Sequence, residues 1–125
     1  MMQFSVAPWR ILDKKHLDIC SKFARFHEQM GSYLLQMAVH ASQTGEPIVR
    51  HLEYVFPHQG FAYCHDQFMI GDKYLVAPMV TKGTCRTVKL PKGVWRDDMG
   101  KKFRGPATIE IEVPLERLPY YERIE

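Results

Sequence analysis

Apolar residues recur at steps of three and four through Leu17, Cys20, Phe23, Ala24, Met30, Leu34, Met37, Ala38 and Ala41. That spacing puts them on one stripe of a helix and predicts a long amphipathic α-helix over residues 13–44. Asp13 is a suitable N-cap, because its carboxylate can accept a backbone N–H of the first turn. Gly45, with Pro47 just beyond, supplies the stop. Gly31 is a point at which the run can divide into two helices. Residues 1–12 read as a short strand and a loop. After Pro47 the period changes. "PIVRHLEYVF" (Pro47–Phe56) is rich in β-branched and aromatic residues and reads as a strand. Residues 57–65 read as loop, Asp66–Ile70 as a short helical turn, and Lys73–Val80 as a strand. Four further short strands are predicted at Thr84–Leu90, Val94–Asp97, Thr108–Val113 and Leu118–Ile124. Turns are expected at Pro91–Gly93, Met99–Gly100 and Gly105–Pro106. Short strands cut by Gly and Pro suggest a β-sandwich or small barrel.

Composition adds bounds. At 125 residues, with 46% hydrophobic and 25% charged residues, the chain has the make-up of one globular domain. The net charge of +3 is mild. The pairs Lys14–Lys15 and Lys101–Lys102 are isolated, with no basic stripe, so neither nucleic acid nor an anionic membrane is an expected partner. No apolar run approaches the roughly 18 residues of a membrane helix. The three cysteines, Cys20, Cys64 and Cys85, form no Cys-x-x-Cys and fit a reducing compartment. The opening "MMQFSVAPWR" lacks a signal-peptide pattern, which favours a cytoplasmic location if Met1 is the true start.

Candidate chemistry is sparse. His51, His58, Cys64, His65 and Asp66 cluster in sequence, but their spacing matches no zinc template, and no metal is expected. Asp97 and Asp98 are adjacent, so on a strand they face opposite ways and read as turn residues rather than an acid/base pair. Asp66 reads as structural, either holding N–H groups of the following turn or pairing with a cation such as Arg50. Ser5 and Trp9 are the candidate substrate-binding residues, since small polar groups at the end of a strand meet ligands in barrels, and Trp9 reads equally as core packing or as a surface that stacks on a sugar. There is no Gly-x-Gly-x-x-Gly, phosphate loop or Gly-x-Ser-x-Gly elbow, so no cofactor is expected.

Five segments, in order, carry a resemblance: "GEPIVR" (Gly45–Arg50), "DQFMIG" (Asp66–Gly71), "YLVAPM" (Tyr74–Met79), "LPKGVWRD" (Leu90–Asp97) and "LPYYER" (Leu118–Arg123). Together they resemble glycoside hydrolase family 31, the retaining α-glycosidases. The opening "MQFSVAPW" looks most like one animal branch of that family. The resemblance implies an α+β fragment: the last β/α elements of a (β/α)8 barrel (residues 1–65), followed by an antiparallel β-sandwich domain (residues 66–125). It makes Asp66 and Gln67 the tie between the two.

Members of the family use one aspartate as nucleophile and another as general acid/base, a pairing suited to double displacement at an anomeric carbon. Neither family motif occurs in these 125 residues. The resemblance therefore implies a C-terminal piece of a glycosidase whose catalytic aspartates lie upstream, acting on terminal α-linked sugars. The piece by itself is expected to be inactive and prone to self-association. Gln3 and Ser5 stand where many members carry Arg-x-His, which points away from glucose and toward a sugar such as galactose. The rival is a non-catalytic β-sandwich module that binds carbohydrate or protein, with Trp95, Tyr120 and Tyr121 as candidate stacking surfaces, although Trp95 reads more readily as core.

Overall fold

The computed structural model describes residues 6–125. It divides into two compact units, Met1–Gln43 and Thr44–Glu125. In the first, a short helix α1 (Pro8–Ile11) precedes the 31-residue α2 (Lys14–Thr44). The predicted cap forms: the His16 N–H donates to Asp13 Oδ1 over 2.9 Å, and the same oxygen meets His16 Nδ1 at 2.7 Å. Gly31 does not divide the run. α2 runs unbroken through it, since one glycine costs only about 1 kcal/mol against the gain from a long stripe. Gly45, at φ +78°, takes up the left-handed backbone that ends the helix. Leu17, Cys20, Phe23, Met30, Leu34 and Met37 of the stripe are half-buried, and no residue of α2 is fully buried. No helix among the described residues is long and apolar enough to cross a membrane. Of the strand and loop expected over residues 1–12, residues 1–5 lie outside the described residues, and Pro8–Ile11 is a helical turn with proline at its first position instead.

The second unit departs from expectation at once. Only Val49–Arg50 extends, as β1, and the chain then turns into the one-turn helix α3 (Leu52–Val55). The reason is local: His51 sits at the N-cap, where its Nδ1 accepts the Glu53 N–H over 3.2 Å. Turning here buries Leu52 and Phe56 together. The Glu53 carboxylate then accepts the N–H of His58 at 2.7 Å and of Phe61 at 3.0 Å, which folds the expected loop back.

The helical turn predicted at Asp66–Ile70 is instead a strand, β2 (Phe68–Ile70), followed by β3 (Tyr74–Val76). The two strands predicted at Thr84–Leu90 and Val94–Asp97 are one long strand, β4 (Cys85–Asp97). The expected turn at Pro91–Gly93 is a bulge within it, between Leu90 and Gly93. Gly105–Pro106 is likewise no turn, because β5 (Lys102–Glu112) passes straight through. A Cβ on Gly105 would sit 1.9 Å from the Pro91 carbonyl oxygen, so glycine serves close backbone approach rather than reversal. The turn at Met99–Gly100 is present, made by Asp97 Oδ1 accepting the N–H of Met99 (3.0 Å) and Lys101 (2.7 Å).

With β6 (Tyr120–Arg123), these strands form one antiparallel sheet in the order β1-β2-β3-β6-β4-β5. The antiparallel character expected of residues 66–125 is present, but as a single hydrogen-bonded sheet that also takes in β1. Its core holds Leu52, Phe56, Phe61, Met69, Leu75, Val88, Leu90, Trp95 and Tyr121. Phe56 meets Trp95 edge-on at 5.9 Å between ring centroids, and Phe103 meets Tyr121 at 6.1 Å. Edge-to-face pairs of this kind stabilise beyond the area they bury.

Candidate functional site: the polar joint ahead of β2

Asp66 and Gln67 precede β2, and two positions of β4 come to meet them. Arg86 is the inward residue that alternates with Val88 and Leu90 along β4, and it is buried. Its Nη2 donates to Asp66 Oδ2 at 2.8 Å, and its Nη1 donates to the carbonyl oxygens of Asp66 (3.2 Å) and Pro78. Gln67, also buried, acts as a false strand residue: its Nε2 donates to the Lys89 carbonyl and its Oε1 accepts the Lys89 N–H, each over 2.9 Å. A primary amide reproduces both backbone groups of a ladder partner, so it seals the β4 edge ahead of the stretch, Trp95–Asp97, that β6 covers. Cys64 completes the joint. Its Sγ donates toward Asp66 Oδ1 at 3.5 Å, and burial followed by that carboxylate pushes the thiol pKa up, so the group stays protonated and unreactive.

Arg50 belongs to a neighbouring cluster. It donates through Nε to the Pro47 carbonyl at 2.7 Å and pairs with Asp72, so the expected Asp66–Arg50 contact is replaced by Asp66–Arg86. That Arg86 turns inward was legible, but not which acceptors it meets. An arginine alternating with Val88 and Leu90 must face inward, and a buried guanidinium requires acceptors.

The other candidates are structural. Asp97 holds the β4–β5 turn, and Asp98 receives a two-pronged contact from Arg117 at 2.9 and 2.8 Å. Glu122 is held by Lys73 at 2.9 Å and by Arg96, which keep its carboxyl below the usual range. His51 and His65 lie with ring centroids 5.9 Å apart. Among the described residues no group of three His, Cys, Asp or Glu side chains could hold a metal. Trp9 lies on α1 and is 72% exposed, while Ser5 and Gln3 fall outside the described residues. Trp95 and Tyr121 are fully buried, which removes them as stacking surfaces, and the Trp95 indole N–H is satisfied by the Pro91 carbonyl at 2.8 Å. A surface depression of about 380 Å³ lies between Gln59, Phe61, Lys89 and Thr108. The joint is a clamp, with its charges engaged by one another and by backbone.

Comparison with known proteins agrees with this architecture. The model of the glycosyl hydrolase family 31 C-terminal domain matches residues 45–124. The mouse myogenesis-regulating glycosidase, from the animal branch that the opening segment resembles, is 37% identical over 118 residues, covering 92% of this chain and 16% of that protein. Alpha-glucosidase 2 of Bacillus thermoamyloliquefaciens is 32% identical, covering 91% of this chain and 15% of the enzyme. Among solved structures, a family 31 α-xylosidase from a soil metagenome, complexed with xylose, superposes with a TM-score of 0.85 at 31% identity, covering 90% of this chain and 17% of that one. The chain thus spans about a sixth of the length of these relatives. The segments that build the joint are family segments, and the chain belongs to glycosyl hydrolase family 31, with residues 45–124 matching its C-terminal domain.

Proposed function

We propose that the chain acts as the C-terminal portion of an α-glycoside hydrolase that releases terminal α-linked sugars by a retaining double displacement. The single observation that carries this reading is the family match over residues 45–124, whose joint residues Asp66, Gln67, Arg86 and Lys89 are engaged with one another. In this reading residues 1–65 complete a (β/α)8 barrel and residues 66–125 form the domain behind it. The nucleophilic and acid/base aspartates come from elsewhere in the polypeptide, because two carboxylates flanking the anomeric carbon are what double displacement requires. The chain's own part is mechanical: the clamp ties the segment entering β2 to β4 and so keeps the sheet of the C-terminal domain rigid. Ser5 and Trp9 are proposed to face the sugar there, the latter through its exposed indole face. The substrate class is an α-glucoside, α-galactoside or α-xyloside.

The test compares the 125-residue chain with the complete open reading frame that contains it, on aryl α-glucoside, α-galactoside and α-xyloside. Hydrolysis is expected from the complete polypeptide alone. Cleavage by the 125 residues with a two-carboxylate pH profile would sink the reading.

A further inference from the structure

Strand β5 ends the strand order and pairs only with β4 among the described residues. It is eleven residues long, an unusually long edge for so small a sheet. Its backbone direction can be read at both ends. The Asp97 N–H donates to the Lys101 carbonyl, and the Val113 N–H donates to the Thr84 carbonyl, so odd-numbered residues turn their polar groups toward β4. Even-numbered residues therefore turn theirs to the open edge. Those same residues are exposed, and their charges are segregated: Lys102 and Arg104 at one end, Glu110 and Glu112 at the other.

We propose that this edge is a self-pairing surface, and that two copies of the chain join through β5 antiparallel about a two-fold axis at Ala107. That register places Lys102 opposite Glu112, Arg104 opposite Glu110 and Pro106 opposite Thr108 on the exposed face. On the other face it places Phe103 opposite Ile111 and Gly105 opposite Ile109, extending an apolar surface already packed against the core. Residues directly opposite in antiparallel strands interact, and opposite charges there stabilise the pair. Slipping by two residues leaves a glutamate without its cation, and a parallel mate sets like charges side by side. Edge charges ordinarily deter pairing. Here their order leaves one complementary mate, the same strand reversed, and the interface is isologous as a two-fold requires. Two backbone groups stay out of the new ladder: Pro106 has no N–H, and the Glu112 carbonyl already accepts from Arg117 Nη1 at 2.7 Å.

Sedimentation equilibrium on the full chain and on charge variants tests this surface independently of any hydrolase reading. Wild type is expected to dimerise. Lys102→Glu with Arg104→Glu gives an all-acidic edge, and Glu110→Lys with Glu112→Lys an all-basic one. Each variant alone is expected to dimerise about tenfold or more weakly. Mixing the two is expected to restore a dimer, because an all-acidic edge complements an all-basic one in the same register. Thr108→Pro, which removes an edge-facing N–H without touching the β4 ladder, is expected to weaken wild-type pairing even where a charge variant fails to fold. A monomeric wild type, association indifferent to all these changes, or a mixture that stays monomeric would overturn the proposal.

Discussion

Arg86 and Asp66 meet across twenty positions of sequence, and the contact shows how one buried cation organises its surroundings. The guanidinium is removed from water and is held by one carboxylate and by carbonyl oxygens that would otherwise be orphaned. Arg86→Ala is expected to cost about 2–4 kcal/mol in denaturant unfolding, since it leaves those acceptors without donors. Asp66→Asn should cost less, because the Asp66 side chain is half exposed and water replaces part of the contact. Equal losses would show that the ion pair, not the carbonyl clamp, dominates.

Tyr121 is the opposite case at this scale. Its hydroxyl is buried with no hydrogen-bond partner among the described residues, and burial pushes its pKa up to about 12. An unfolded tyrosine ionises near 10, so between those values the unfolded chain binds fewer protons and stability falls as pH rises. Below pH 10 this contribution is fully present. Tyr121→Phe should therefore flatten the alkaline decline of the denaturation midpoint, while changing neutral-pH stability by no more than about 1 kcal/mol. An unaltered alkaline slope would place the phenol in water.

At the scale of elements, the β4–β5 hairpin depends on backbone approach that no pattern of hydrophobicity announces. The bulge between Leu90 and Gly93 brings the Pro91 carbonyl onto Gly105, and a methyl there would overlap it. Gly105→Ala is expected to separate the strands at their centre, with loss of about 3 kcal/mol or more and broadened unfolding by circular dichroism. A cooperative transition at the wild-type temperature would show that the bulge relaxes to admit the methyl. By contrast α2 behaves as its stripe predicts, because helix periodicity, an aspartate cap and a stop glycine are all local signals. The segment after Pro47 misled for the complementary reason. Val49 to Phe56 has strand composition, yet a histidine cap and the gain from burying Leu52 with Phe56 favour a helical turn.

At the scale of the whole molecule, the buried core found among the described residues, from Leu52 to Tyr121, belongs to the second unit. Residues 44–125 expressed alone are therefore expected to keep a cooperative transition, within about 5 °C of the full chain by calorimetry. A molten product would mean that the core needs residues 1–43.

The sequence by itself determined α2, its cap, the turn at Met99–Gly100, the antiparallel character of the second half and family membership, because each is written in neighbouring residues or in ordered short motifs. Asp66 and Gln67 were legible as a structural tie, but their partners were not. Only the tertiary structure decided that Arg86 and the Lys89 backbone receive them, that two predicted strands are one bulged strand, and that Tyr121 is core. Those outcomes depend on which strands become neighbours. Pairing is fixed by burial and hydrogen-bond satisfaction summed over residues distant in sequence, which no local window contains.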